Sequence, residues 1–193
     1  MASVDTPDFG VLIARLAQAL TSREIPFMLI GGQAVLLHGQ PRLTQDVDIT
    51  LGASPARLGD AVAACEAANL RPLPTDPAAF VEQTFVLPAL DRDTGIRVDL
   101  IFSTTPYEAE AIRRAVLVEI EGVRVPFASA EDLILHKLFA GRPRDLDDAA
   151  GVARRQAGAI DWTYVRRWGA EFSAVPGREQ LPDQIDALER VNG

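Results

Sequence analysis

Residues 29–49 read LIGGQAVLLHGQPRLTQDVDI, and this stretch decides the fold. It opens with the end of an apolar run at 27–30, which predicts a buried strand. Gly31 and Gly32 follow, and the pattern at 33–38 predicts a short helix closed by a glycine. At 46–51 acidic and apolar residues alternate, which is typical of a strand with one face in a core. The stretch therefore predicts a strand, a glycine turn, a short helix and a second strand.

Further helices and strands are predicted on both sides of this stretch from the spacing of apolar residues. The predicted helices lie at 8–22 and 55–69, a loop at 71–77, strands at 83–90, 96–102, 116–120 and 123–127, and a mostly helical tail at 144–190. Ser129, followed three residues later by Asp132, predicts another helix start through a variant of the capping box. The layout predicts an α+β fold, with a mixed α/β sheet flanked by helices and a helical C-terminal tail. We expect a core at 1–128, including the N-terminal helix, and a helical extension at 129–193 packed on the same domain.

Size and composition exclude several classes of protein. A chain of 193 residues is long enough for one well-packed core. Its net charge of −8 argues against general DNA or RNA binding, because such a surface must neutralise phosphates. The apolar stretches are too short to span a bilayer and the start of the chain lacks a signal-peptide pattern. We therefore expect a cytoplasmic protein with no membrane association, and the single Cys65 excludes an internal disulfide.

Three aspartates are the candidate metal ligands. Asp46 and Asp48 lie two residues apart on a predicted strand, so their side chains leave the same face. Asp99 lies in the apolar strand at 96–102, where a lone acid is costly unless it is paired or ligates a cation. Carboxylate oxygens without nearby histidine or cysteine suit Mg²⁺ or Mn²⁺. The alternatives are a solvated turn for the first two, and for Asp99 an edge strand facing water or an ion pair with Arg97.

The two glycines are candidates for phosphate binding. Gly31 and Gly32 lie between a predicted strand and a predicted helix, where the backbone can approach a phosphate and free N–H groups are available. A tight turn with no ligand explains the same pattern equally well.

Taken in order, these residues resemble the signature of the DNA polymerase β-type nucleotidyltransferase superfamily. In that superfamily a Gly-Gly or Gly-Ser turn precedes an Asp-x-Asp pair, and a third acid comes from a later strand, as in Arg97-Val98-Asp99-Leu100. Within it, the chain is similar to the AbiE-type abortive-infection toxin nucleotidyltransferases, which carry a later lysine and an Arg-Asp-x-x-Asp element. Lys137 and residues 144–148, RDLDD, resemble these two motifs. The resemblance covers about residues 25–150; Gly32 replaces the usual serine, so one hydroxyl near the triphosphate is missing.

The resemblance implies a role for each matching residue. Asp46, Asp48 and Asp99 would hold the metal ions and, with Lys137, form the catalytic set. The nucleotide-binding residues would be Gly31, Gly32, Gln33, Arg42, Thr44 and Lys137. Bracing of the loop is the alternative for Arg42 and Thr44. A solvated helix lysine is the alternative for Lys137. Asp145 and Asp148 are accessory candidates that would position Lys137 or an acceptor, although capping or pairing with Arg142 or Arg144 explains them equally well.

The implied function is transfer of a nucleotide from a nucleoside triphosphate such as ATP to a macromolecular acceptor, either an RNA or tRNA end or a partner protein. A toxin of this type would have an antitoxin protein as partner. Two alternatives stay open: modification of an aminoglycoside-like antibiotic, whose positive charge suits an acidic protein, and a fold that only binds a nucleotide or a partner.

The remaining features are weaker. His38 and His136 lie in apolar helical contexts, which favours packing or hydrogen-bonding roles. Basic pairs at 154–155 and 166–167 lie near the aromatic residues Trp162, Tyr164 and Trp168. This pattern suits stacking on an RNA end, or an amphipathic helix with a solvated face.

Overall fold

The computed structural model describes residues 9–192. Within the chain, contacts define two compact units. We call Met1–Leu29 with Thr44–Phe127 the sheet unit, and Ile30–Leu43 with Ala128–Gly193 the helical unit. The predicted division at 128–129 lies next to one of these boundaries, but the segment 30–43 joins the C-terminal helices. How the two predicted parts pack stays a prediction.

The sheet unit contains a seven-stranded sheet with the order β3-β4-β5-β2-β1-β7-β6. The strands are β1 (Phe27–Leu29), β2 (Asp46–Leu51), β3 (Leu70–Pro72), β4 (Val86–Asp91), β5 (Arg97–Phe102), β6 (Val116–Ile120) and β7 (Val123–Phe127). β2 runs parallel to β5 and β1 parallel to β7, whereas the other neighbours are antiparallel. The sheet is therefore mixed, and the predicted α+β class is confirmed.

Helices occur in both units. They are α1 (Phe9–Thr21), α2 (Gly31–His38), α3 (Leu58–Ala67), α4 (Pro77–Thr84), α5 (Pro106–Arg114), α6 (Ala130–Ala140), α7 (Pro143–Arg155), α8 (Trp162–Phe172) and α9 (Leu181–Asn192). In the sheet unit, α1 packs against α3, β6 and β7, and α3 packs against β3. In the helical unit, α6 packs against α2, α7 and α8, and α9 packs against α7 and α8. No helix within 9–192 is both long and apolar enough to cross a bilayer.

The core of the sheet unit follows from the alternation in its strands. Val47, Ile49 and Leu51 on β2 are fully buried, as are Val98 and Leu100 beside them on β5. The residues between them point to the other face of the sheet. Hydrophobic burial of one face therefore determines which face carries the aspartates. Cys65 also lies in this core, and burial raises the pKa of its thiol to about 12, as expected for an inert cysteine.

The helices at 8–22 and in the tail and the strands at 46–51, 116–120 and 123–127 are confirmed within one or two residues, except that residue 8 lies outside the described residues. The strand predicted at 83–90 is partly wrong, because α4 continues to Thr84. This helix begins where Asp76 accepts a hydrogen bond from the Ala79 N–H and Pro77 occupies the first helical position. The loop predicted at 71–77 is also partly wrong: residues 73–76 form a loop, but β3 includes 71–72 and α4 begins at 77.

Two further differences involve helix starts. α5 was not predicted, although Thr105 caps it and Pro106 occupies its first turn. α2 begins at Gly31 rather than at residue 33, so both glycines form the first turn of the helix instead of a preceding loop. The predicted cap at Ser129 is confirmed: its hydroxyl accepts from the Asp132 N–H at 3.1 Å and donates to Asp132 Oδ2 at 2.8 Å.

Candidate active site

Asp46, Asp48 and Asp99 lie on one face of the sheet. β2 and β5 are adjacent and parallel, and their register places Asp48 directly beside Asp99 and Asp46 beside Arg97. Residues that lie side by side on neighbouring strands point to the same face of a sheet. All three aspartates are half-buried, in contrast to their fully buried apolar neighbours. The backbone therefore brings the three predicted metal ligands together.

Arg97 holds the carboxylate of Asp99. Its Nε lies 2.9 Å from Oδ1 and 3.1 Å from Oδ2, and its Nη2 lies 2.9 Å from Oδ1. The ion pair considered as an alternative for Asp99 is thus observed. The edge-strand alternative is wrong, since β5 lies between β4 and β2. The Arg97 side chain is 53% exposed, so this pair contributes little stability and can be exchanged for a stronger cation.

Thr44 contacts the first aspartate of the pair. Its hydroxyl donates to Asp46 Oδ1 at 3.1 Å, which restrains the carboxylate at the start of β2. This contact is local to the loop that leads into the strand. Thr44 therefore acts in this structure as a brace for a candidate metal ligand.

The donor set suits Mg²⁺ or Mn²⁺, because it consists of carboxylate oxygens without histidine or cysteine. Among the described residues, however, no group of three or more His, Cys, Asp and Glu side chains is arranged to hold a metal ion. Convergence of Asp46, Asp48 and Asp99 on an ion requires side-chain rotation, with Asp99 turning away from Arg97. The register thus places the three carboxylates on one face of the sheet, and the present rotamers fit the ion pair.

A second charged cluster lies in the helical unit. Lys137 Nζ is 2.8 Å from Asp145 Oδ1 and 2.9 Å from Asp148 Oδ2. Arg42 binds the same Asp148 carboxylate through both of its oxygens, with Nε to Oδ1 and Nη2 to Oδ2 each at 2.9 Å. Burial favours a raised pKa for Asp148, but the hydrogen bonds from Arg42 and Lys137 outweigh it and hold the pKa below its ordinary value.

This cluster decides between several sequence interpretations. Lys137 is only 7% exposed, so the alternative that it is a solvated lysine on a helix surface is wrong. Asp145 and Asp148 position Lys137, whereas Arg142 reaches Asp145 only at 3.9 Å. The expected contact of Lys137 with a triphosphate stays a prediction.

The predicted phosphate-binding residues form the first turn of α2. Gly31 has a φ of +61°, which favours glycine, and Gly32 and Gln33 are buried. The N–H groups of a first helical turn have no partner within the helix. No side chain caps this helix, and the buried Nε2 of Gln33 has no hydrogen-bond partner among the described residues. The turn therefore presents several donors that are suited to an anion.

The surroundings of the two histidines indicate structural roles. His38 Nε2 lies 2.8 Å from the carbonyl oxygen of Ala128, so the predicted hydrogen-bonding role is observed. Burial, with a smaller contribution from Lys137, lowers the pKa of His136 to about 4. His136 is therefore neutral near pH 7.

The aromatic residues of the tail do not form a stacking surface as a group. Trp162 and Tyr164 are buried, and the Tyr164 hydroxyl donates to Asp132 Oδ1 at 2.7 Å. Arg166 is paired with Glu189. The interpretation that an RNA end stacks on Trp162 and Tyr164 is therefore wrong.

Comparison with solved structures identifies the fold class as that of the nucleotidyltransferases. The crystal structure of an antigenic nucleotidyltransferase-like protein from Paracoccidioides brasiliensis has a TM-score of 0.55 and 17% identity, covering 92% of each chain. The crystal structure of ANT(2″)-Ia in complex with adenylyl-2″-tobramycin has a TM-score of 0.52 and 18% identity, covering 95% of this chain and 98% of the other. At these identities the likeness shows the fold alone.

Sequence comparison then gives the family. A family described as "Nucleotidyltransferase of unknown function (DUF6036)" matches residues 11–175, and the chain belongs to this family. The superfamily expected from the motifs is thus confirmed. A search of curated proteins found no significant match.

Proposed function

We propose that this protein transfers a nucleotide from a nucleoside triphosphate to a hydroxyl group of a macromolecular acceptor and releases pyrophosphate. The observation that carries this proposal is the placement of Asp46, Asp48 and Asp99 on one face of two adjacent strands. Membership in a family described as nucleotidyltransferases supports the reaction class.

In the proposed reaction, the acceptor oxygen forms a bond to the α-phosphorus, and the bond between that phosphorus and the oxygen bridging to the β-phosphorus breaks. The hydroxyl proton passes to solvent. Asp46, Asp48 and Asp99 would hold Mg²⁺ or Mn²⁺, which supplies charge neutralisation at the phosphates and a lower pKa for the acceptor hydroxyl. Thr44 restrains Asp46, and Arg97 holds Asp99 until the cation takes its place.

For the triphosphate, we propose contacts from the first turn of α2. The backbone N–H groups of Gly31, Gly32 and Gln33 and the unpartnered Nε2 of Gln33 are suitable donors. The resemblance also assigns Arg42 and Lys137 to the triphosphate. Both are bound to Asp148, so each would have to share its charge between that carboxylate and a phosphate.

The proposed acceptor is an RNA end, such as that of a tRNA, or a partner protein. Support comes from the similarity of Lys137 and residues 144–148 to the motifs of AbiE-type toxins. On this proposal the chain is the toxin of a toxin–antitoxin pair, acts in the cytoplasm and is neutralised by a small antitoxin protein.

The first test incubates the protein with each labelled nucleoside triphosphate, Mg²⁺ and total bacterial RNA. Wild type is compared with Asp48→Ala and with Asp60→Ala, a control at an exposed acid. We expect a labelled RNA band with wild type and Asp60→Ala and none with Asp48→Ala. Equal labelling by Asp48→Ala would contradict the assigned site, and no RNA label from any protein would exclude RNA as acceptor.

A cationic antibiotic is the second candidate acceptor. The net charge of −8 favours this candidate, since an acidic protein attracts polycations. ANT(2″)-Ia, which shares the fold, was crystallised with adenylyl-2″-tobramycin. Expression in a susceptible host separates the two acceptors: aminoglycoside resistance that is lost with Asp48→Ala would establish the antibiotic. Stabilisation by a nucleoside triphosphate without any product would instead indicate a binding module.

A further inference from the structure

The helical unit contains an open cleft at the C-terminal end of α7. Its volume is about 380 Å³, which lies within the range of small-molecule sites. The cleft is lined by Gly39, Gln40, Pro41, Gly151, Arg154 and Arg155. None of these six residues is acidic, so the only formal charges on the wall are those of the two arginines.

The arginines are available to an anion to different degrees. Arg155 donates a hydrogen bond to the carbonyl oxygen of Gly39, which fixes it against the wall of the cleft. Arg154 is exposed, and within residues 9–192 it forms neither an ion pair nor a side-chain hydrogen bond. A guanidinium without a carboxylate partner is a suitable bidentate donor for phosphate.

The helical unit has a net charge close to zero, so it does not repel an anion strongly. The sheet unit carries 16 acidic and 9 basic residues, whereas the helical unit carries 11 acidic and 10 basic residues. The net charge of −8 therefore resides mainly in the sheet unit. The low affinity for nucleic acid expected from the whole chain does not apply to the cleft.

Gly151 is a second observation, independent of the arginines, that points to a ligand in the cleft. It lies in the interior of α7, where a glycine lowers helix stability relative to alanine. Its φ is not in the left-handed region, and an added Cβ would lie 3.6 Å from Gln40 Cγ and 3.7 Å from Gln40 N, which are ordinary contacts. Neither backbone conformation nor packing requires a glycine here. Its missing side chain leaves space in the cleft beside Arg154, whose Nη2 is 3.9 Å from the same Cβ position.

We propose that this cleft binds a phosphate group, with Arg154 as the principal cation and Arg155 as a second donor. We assign that phosphate to the backbone of an RNA acceptor, and this assignment rests on the function proposed above. The same chemistry would bind free phosphate, so the two sources must be separated by experiment.

The test measures binding of a fluorescently labelled short single-stranded RNA to the full chain by anisotropy. It compares wild type with Arg154→Gln and with Arg190→Gln, a control at another exposed arginine in the last turn of a helix. We expect about tenfold weaker RNA binding for Arg154→Gln, because one charge-assisted hydrogen-bonding group is lost. Its log–log salt slope should fall by about 0.7, the value for one phosphate contact on a single strand. Arg190→Gln should bind as wild type does.

Titration with inorganic phosphate identifies the source of the anion. Phosphate binding to wild type that is lost in Arg154→Gln, with RNA binding equal in the two proteins, would assign the cleft to free phosphate and overturn the RNA assignment. Equal binding of both RNA and phosphate by wild type and Arg154→Gln would overturn the site itself. In that case a lower melting temperature of Arg154→Gln would show that Arg154 only stabilises the C-terminal end of α7.

The binding assay does not depend on turnover. It is run without a nucleoside triphosphate, so RNA binding is measured whether or not the protein transfers a nucleotide. If no chain transfers a nucleotide but Arg154→Gln still weakens RNA binding, the proposed function fails and the phosphate site stands.

Discussion

At the scale of single residues, two cations share one carboxylate, because Lys137 and Arg42 both bind Asp148. Lys137, Asp145 and Asp148 lie close together in the chain, and the positioning of Lys137 by the two aspartates was one prediction from the sequence. Arg42 is 106 residues away from Asp148, and no local pattern links two positions so far apart. The role of Arg42 as a carboxylate partner therefore depends on tertiary structure, whereas Arg97 lies two residues from Asp99 and its pairing was an alternative raised by the sequence.

Replacing Lys137 with methionine should destabilise the protein by about 3 kcal/mol, because two buried carboxylates lose a shared cation. Urea unfolding at pH 7 measures the change. Arg142→Met is the control, since its side chain is 83% exposed and its nearest carboxylate is 3.9 Å away. We expect a change within about 0.5 kcal/mol for this control. A loss below about 1 kcal/mol for Lys137→Met would contradict the buried cluster.

The pH dependence of stability should reveal His136. Its pKa of about 4 in the folded protein lies below the ordinary value of about 6.5 in an unfolded chain. As pH falls from about 6.5 to about 4, the unfolded state binds a proton that the folded state does not, so the free energy of unfolding decreases. His136→Gln should flatten this decrease more than His38→Gln does. An unchanged slope in His136→Gln would show that His136 is accessible to protons in the folded state.

At the scale of helices and strands, elements with strong periodicity were predicted well. The alternation at 46–51 corresponds to β2 residue for residue, because one face of that strand is buried and the other carries the aspartates. α4 and α5 were missed or misplaced because each is short and begins with a capping residue before proline rather than with a long apolar stripe. A capping residue can be recognised in a sequence, but it does not predict how long the following helix is.

Two helix-interior glycines should respond differently to alanine. Gly151→Ala should stabilise the protein by about 0.5–1 kcal/mol, since the added methyl group makes only ordinary contacts and the helix gains propensity. Gly169→Ala should not, because its Cβ would collide with Ile185 Cδ1 where α8 meets α9. Denaturant unfolding of both variants makes the comparison. Equal gains from both substitutions would contradict the described packing of α8 against α9.

At the scale of the whole molecule, the fold class could be predicted from the motifs, but the order of strands could not. The middle of the sheet joins β2 to β5 in parallel and β1 to β7 in parallel, and these partners are far apart in the chain. The pairing of β2 with β5 places Asp99 beside Asp48. The sequence thus indicated three acids and their chemistry, and the sheet topology explains why the two strands bring them to one face.

Metal binding should appear as a change in stability of the intact protein. A ligand that binds only the folded state raises the free energy of unfolding in proportion to the logarithm of its concentration. We expect millimolar Mg²⁺ to raise the melting temperature of wild type and of Asp60→Asn, and to leave that of Asp48→Asn unchanged. An equal increase in all three proteins would place the ion elsewhere.

The central claim is that the carboxylates on β2 and β5 support transfer of a nucleotide. The most direct measurement compares α-labelled with γ-labelled nucleoside triphosphate in the presence of Mg²⁺ and the acceptor, using wild type and Asp48→Ala. The account predicts that wild type places the α label on the acceptor and releases the γ label as pyrophosphate, and that Asp48→Ala does neither. Transfer of the γ label to the acceptor, or α labelling that persists in Asp48→Ala, would contradict it.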